Sequence, residues 1–253
     1  MTERSNPKKS LREQTILPDT WRKTTVLDLW NSQVRLHHHE KYKGISLAKF
    51  PQDLWTYEKV ISSYSPEVII EIGVNQGGFT RWLYDRQLVT AIENPGRAYS
   101  LIGIDINIES ASINLSQLPS FGENSIKLEL IKCNLLDSIE IKQIKERLTM
   151  LVSQRSTLII EDSGHTYATT RAALDAFSPL LKAGEWFIVE DTCVDIDALR
   201  ESPEWPTGAL NAANDFLLEN DNFERTNINH LYTLTCHPFG FLRKKSSSTN
   251  SLI

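Results

Sequence analysis

The chain alternates short β-branched runs, each ending in glycine or an acid, with longer segments of helical pattern. The first run opens "EVIIEIGVNQGGFT", residues 67–80. Val68, Ile69, Ile70 and Ile72 suit a pleated, enclosed surface. A run unbroken by polar alternation fits a strand covered on both faces. Strands are expected at 68–73, 100–105, 127–133, 156–161 and 186–190, and helices at 78–89, 108–117, 138–153, 168–182 and 208–219. Strands alternating with helices predict an α/β fold, a mostly parallel, doubly wound sheet with helices on both faces. The closing stretch "FERTNINHLYTLTCHPFGFLRKK" adds two or three late strands, including an antiparallel pair.

In such sheets ligands bind outside the carboxyl ends of the strands, so the residues that follow each run carry the functional reading. The first run ends in Gly73, Val74 and Asn75, and Gly77 and Gly78 open the next helix. This spacing departs from G-x-G-x-x-G and disfavours a dinucleotide fingerprint. A strand, glycine turn and helix still let a ligand approach the backbone closely; an ordinary connecting turn is the alternative. "LIGIDI" ends at Asp105, placed either to accept from both hydroxyls of a ribose or to cap the helix that begins at "DINIESA". "KLELIKCN" ends at Cys133 and Asn134.

The fourth and fifth runs end at Glu161–Asp162 and Glu190–Asp191, with His165 just beyond the fourth. If these strands are neighbours, their ends lie about 4.8 Å apart. Asp162, Glu190 and Asp191 would then repel one another, which a hard divalent cation such as Mg²⁺, Mn²⁺ or Ca²⁺ relieves. Separate helix caps and surface acids are the alternative. Glu190 and Asp191 can ligate together only if the strand has already broken into loop, because successive strand residues face opposite ways. His165 suits a general base near neutral pH, or a cap. "HHHE" at 37–40 reads as a solvated loop upstream of the sheet, far from the rim acids, rather than a metal site. Cys133 and Cys193 read as small buried hydrophobes.

The 253 residues suffice for one large α/β domain with an extension. The domain is expected over 67–245, preceded by a flexible stretch (1–20) and a helical extension or lid (21–66), and followed by a flexible tail (246–253). Trp21, Trp30, Leu54, Trp55, Tyr57, Val60 and Ile61 are the burial candidates of the extension. The net charge is −5, and basic residues cluster only near the termini, which argues against nucleic acid as a partner. Three cysteines without C-x-x-C spacing indicate a reducing compartment. A polar N-terminus and the lack of any long apolar run predict a cytoplasmic protein with no membrane segment. A homo-oligomer stays open.

These motifs together resemble the cephalosporin hydroxylase/rhamnosyl O-methyltransferase family of Rossmann-like, class I S-adenosylmethionine-dependent methyltransferases. "EVIIEIGVNQGGFT" is similar to the first motif of that class. "YKGISLAKFPQDLWTYEKVI", "LIGIDI", "IIEDSGHT", "EWFIVEDT", "ALNAANDFLLENDNFERT" and "FGFLRKK" resemble further segments of the family, over roughly residues 40–245. The resemblance implies a seven-stranded methyltransferase fold with S-adenosylmethionine in the strand-end crevice and Mg²⁺, or Mn²⁺, held by Asp162, Glu190 and Asp191. It implies cofactor contacts from Glu71, Gly73 and Gly77, and from Asp105 at the ribose. Asn75, Asn134 and Asp162 complete that set. The family tends to have a small or acidic pair where Cys133 and Asn134 stand. The implied reaction is methyl transfer to a hydroxyl of a small molecule, a sugar or natural product, with His165 and Asp162 as the catalytic residues. The metal would lower the pKa of the acceptor hydroxyl and hold its direction. Residues 21–60 and 193–208 are expected to line the acceptor pocket. Two other readings stand beside this one. A non-haem iron hydroxylase usually wants two histidines and a carboxylate. A non-catalytic subunit would bind S-adenosylmethionine and support a partner.

Overall fold

Every residue of Val68–Ile72 is buried, as a strand covered on both faces requires. The structure is a computed structural model that describes residues 23–118, 126–200, 202–226, 228 and 234–246. The expectations for residues 1–20, for Trp21 and for the end of the tail fall outside them.

The strands are β1 (Lys41–Tyr42), β2 (Ile45–Ser46), β3 (Val68–Ile72), β4 (Ser100–Asp105), β5 (Lys127–Lys132), β6 (Thr157–Glu161), β7 (Trp186–Val189), β8 (Phe223–Arg225) and β9 (Phe241–Lys244). The helices are α1 (Val26–Leu36), α2 (Pro51–Tyr64), α3 (Gly78–Glu93), α4 (Glu109–Asn114), α5 (Ser138–Val152), α6 (Tyr167–Phe177) and α7 (Ala209–Glu219). Seven strands form one sheet in the order β5-β4-β3-β6-β7-β9-β8. The pairs from β5 to β7 are parallel. β9 runs antiparallel to both β7 and β8. From β3 the chain winds outward through β4 to β5, then returns to place β6 on the other side of β3. That reversal opens a crevice at the carboxyl ends of β4, β3 and β6.

The period-two alternation of the strands divides the core. Ile70, Ile72, Ile102, Ile104 and Ile159 face one side with Leu148 of α5, Leu174 and Phe177 of α6 and Phe216 of α7. Ile69, Leu101, Leu158, Ile160 and Ile188 face the other with Tyr57, Val60 and Ile61 of α2 and Phe79 and Leu83 of α3. Each such aliphatic side chain removed from water contributes about 1.5–3 kcal/mol, enough in sum to hold several buried acids at the crevice. No helix of the described residues is long and apolar enough to cross a membrane.

The extension departs from the expected run of helix. A single turn of 3₁₀-helix, His37–His39, follows α1, and β1 and β2 form a hairpin before α2. Lys43 and Gly44 both take positive φ, +49° and +86°. That is the signature of a tight two-residue hairpin turn. Trp30, Tyr57, Val60 and Ile61 are buried as expected, but Trp55 is 53% exposed. It lies two residues from Tyr57, about 200° around α2 from the buried face. The helix expected over 168–182 ends at Phe177, where Pro179 cannot donate to the helix ladder.

Candidate active site

The glycine turn is built against its neighbours. Gly73 N–H donates to Ile104 O at 2.7 Å, and Asp162 N–H donates to Ile72 O at 2.7 Å. Gly73 has φ +93°, and a Cβ there would lie 1.9 Å from Asp162 O. A Cβ on Gly78 would lie 2.0 Å from Ser46 O, so only glycine lets the extension pass over the start of α3.

Beyond this turn lies a crevice of about 790 Å³. Glu71, Gly73, Asn75, Asp105, Asn134, Asp162, His165 and Asp191 all line it. Gly77 sits behind the turn against Leu115, with φ +89°. Glu190 lies beneath, wholly buried. Asp105 is already engaged: its Oδ2 accepts from Val74 N and Asn75 N at 2.7 and 2.9 Å, and its Oδ1 from Asn107 N at 2.9 Å. It clamps the glycine turn and keeps lone-pair capacity on Oδ1 toward the crevice. Glu71 is 1% exposed, and burial pushes its carboxyl up to about 8.

The acids of β6 and β7 converge. The parallel register places Glu161 opposite Val189, so Asp162 and Glu190 follow side by side. β7 ends at Val189, and Asp191 takes φ +50°. The strand has therefore broken into loop, the condition for both acids to turn toward one position. Asp162, His165 and Asp191 hold ligand atoms within 4.8 Å of one another. His165 Nε2 lies 3.4 Å from Asp191 Oδ2. His165 Nδ1 is buried without a hydrogen-bond partner among the described residues.

Long-range partners of these acids were not evident in the sequence. The Lys49 ammonium donates to both Asp162 Oδ2 and Glu190 Oε2. The Tyr57 hydroxyl donates to Glu190 Oε1. His237 Nδ1 accepts from Asp191 N at 2.9 Å, which holds the strained Asp191 backbone. Asp53 accepts from Cys236 N at 3.0 Å, tying the start of α2 to the same loop. Burial, together with Glu190, raises the Asp162 carboxyl well above the usual range despite Lys49. Burial also acts to raise Asp191, but His165, Lys49 and His237 outweigh it and hold that carboxyl low. Burial opposes the Lys49 charge, yet Asp162 and Glu190 together hold its ammonium well above its ordinary pKa.

His37 and His38 were expected far from these acids. The fold instead brings both to the rim of the crevice, because α1 packs its Trp30 and Val34 against Cys193 and Val194 beyond β7. The Trp30 indole donates to Leu199 O at 2.8 Å, so segments 21–60 and 193–208 meet, but only the first, through His37, His38 and Ser46 to Lys49, lines the crevice. Cys133 and Cys193 are buried, as read.

The sequence profile of the rhamnosyl O-methyltransferase/CmcI family matches residues 34–245. The chain belongs to this family. It is 24% identical over 156 residues to a rhamnosyl O-methyltransferase of Mycobacterium tuberculosis (strain ATCC 25618 / H37Rv), covering 61% of this chain and 57% of that one. It is 21% identical over 151 residues to the rhamnosyl O-methyltransferase of Mycobacterium leprae, covering 60% and 59%. The match thus spans less than two thirds of the length of these relatives. Among solved structures, a CmcI structure with Mg and SAM superposes with TM-score 0.57 at 18% identity, covering 97% of this chain and 88% of that one. The MycE methyltransferase from the mycinamycin biosynthetic pathway, in complex with Mg and SAH, gives 0.51 at 14%, covering 91% and 58%. A putative caffeoyl-CoA O-methyltransferase from Staphylococcus aureus gives 0.52 at 12%, covering 89% and 95%. At these identities the likeness shows the fold: a Rossmann-like methyltransferase fold, shared by this family member.

Proposed function

We propose that this protein is an S-adenosylmethionine- and Mg²⁺-dependent O-methyltransferase acting on a hydroxyl of a small molecule, a sugar or other natural product. The observation that carries the reading is the joining of two features. Asp162 and Asp191 form part of the glycine crevice's wall with Glu190 buried behind them, and Asp162 O lies against Gly73. The residues fit a cation on their own evidence. An ammonium already stands between two of the acids, and the donor set is mainly carboxylate oxygen, which suits a hard divalent ion. Asp162, Glu190 and Asp191 would hold Mg²⁺, which would supply positive charge that makes an acceptor hydroxyl more acidic. S-adenosylmethionine would supply the methyl group, with Asp105 at its ribose and Glu71, Gly73, Asn75 and Asn134 along the crevice.

The chain's own groups have distinct tasks. His165 lines the crevice with its Nε2 3.4 Å from Asp191 Oδ2, and its imidazole is the group that would take the acceptor's proton. The low pKa of Asp191 keeps a negative charge beside the imidazolium that forms. The buried floor of Tyr57, Glu190 and Lys49 excludes water behind the acids. The hydroxylase reading is weaker, since no metal-competent group among the described residues unites two histidines with a carboxylate. The names of the relatives favour sugar-bearing acceptors. The test is incubation with labelled methyl donor and a library of rhamnosylated and other hydroxylated acceptors, with and without Mg²⁺. Donor-dependent labelling of an acceptor supports the reading; binding of the donor with no transfer to any acceptor favours the non-catalytic subunit.

A further inference from the structure

Lys49 is 7% exposed, and its ammonium is enclosed on three sides. Asp162 and Glu190 accept from it, and the Phe79 ring lies below it, 4.9 Å from Nζ to the ring centroid. Both oxygens of Glu190 are committed, one to Lys49 and one to Tyr57. Glu190 itself is wholly buried, and the Oε2 that Lys49 holds is also the oxygen 3.8 Å from His237 Nε2. For Asp162, Glu190 and Asp191 to share one divalent cation, the ammonium must give up the point it holds. Two cations in contact at a buried position repel strongly, and a point charge on a four-carbon stem is the mobile partner.

We propose that Lys49 is a resident counter-cation of the acid cluster, which a divalent cation displaces on binding. This rests on the metal reading given above. The device solves a folding problem: with neither a metal ion nor Lys49, the half-buried Asp162 and the wholly buried Glu190 would face each other with no cation between them, and an uncompensated buried charge is strongly destabilising. It also joins the ion to the crevice wall. Lys49 follows Leu47 and Ala48, which line the crevice, and Ala48 takes φ +49°. Ser46 O rests on Gly78 at the start of α3. Releasing the ammonium therefore loosens one tie of the segment that borders the cofactor crevice. Lys49 acts here through the carboxylates and is a positioning residue.

Two measurements on the intact chain test this. The first is lysine acetylation by an N-hydroxysuccinimide ester, mapped by mass spectrometry, with Lys132 as an exposed internal reference. Lys49 should be protected without metal and should become reactive at saturating Mg²⁺, while Lys132 is unchanged. The second is calorimetry of Mg²⁺ binding to wild type and to Lys49→Met. Removing the competing charge should tighten Mg²⁺ binding by about tenfold or more. Equal or weaker binding by the variant, or continued protection of Lys49 in the Mg²⁺-bound wild type, overturns the proposal while leaving the metal reading intact. No Mg²⁺ binding by either protein overturns both. The labelling arm uses wild type alone, so it decides the matter even if Lys49→Met does not fold.

Discussion

Gly73 lies against the backbone carbonyl of Asp162, so close that a Cβ on Gly73 would stand 1.9 Å from that oxygen. The glycine turn that borders the crevice and the first acid of the Asp162, Glu190 and Asp191 group are therefore one piece of structure. Gly73→Ala must both adopt φ +93° and displace β6. We expect a loss of about 2–4 kcal/mol of stability, read from chemical denaturation. An unchanged midpoint would show that the two strand ends are not in contact.

Asp105 is expected to matter twice, as clamp of the turn through Val74 and Asn75 and as acceptor at the ribose. Asp105→Ala should weaken S-adenosylmethionine binding by about 1–3 kcal/mol, the usual loss for a missing hydrogen-bond partner. Mg²⁺ binding should persist. Calorimetry with an unchanged donor affinity would remove Asp105 from the site.

Chelation should abolish methyl transfer, and added Mg²⁺ should restore it. Asp162→Asn should lose Mg²⁺ binding in calorimetry while still binding the donor. Full transfer after exhaustive chelation would leave Asp162 and Glu190 as structural acids held by Lys49 and Tyr57, and Asp191 as one placed beside His165.

His165→Ala should keep both metal and donor yet slow the chemical step by about 10²–10⁴-fold, the range typical of a lost general base. The deficit should shrink as pH rises, because hydroxide or an ionised acceptor replaces the base. A single-turnover pH profile matching wild type throughout would return His165 to a role in holding Asp191.

Glu71 carries a pH signature. Burial raises its folded carboxyl from 4.5 to about 8. Between those values the native state holds a proton that the unfolded chain releases, so this group makes stability fall as pH rises through that window. The unfolding temperature of the cofactor-free protein should fall accordingly, and Glu71→Gln should flatten the fall. An equal slope in the variant would assign it to other groups.

The layered fold and the acids at the strand ends were legible along the chain. Short β-branched runs bounded by glycine and acids read as strands, and strands separated by helices can be joined in parallel only by crossovers. Asp105, Asp162, Glu190 and Asp191 are therefore placed on one rim by local pattern and chain direction alone. What those acids touch depends on contacts between segments far apart in the chain. Lys49 meets Asp162 and Glu190 across 113 and 141 residues, Tyr57 meets Glu190 across 133, and His237 meets Asp191 across 46. Nothing in "AKFPQDLW" marks Lys49 as a counter-ion, because its preference for that place comes from a charge deficit created by other strands. The same reason hid the approach of His37 and His38 to the crevice, which follows from the packing of α1 on the loop beyond β7. Periodicity is a local property and can be read along the chain; electrostatic compensation of a buried cluster exists only once the strands have come together.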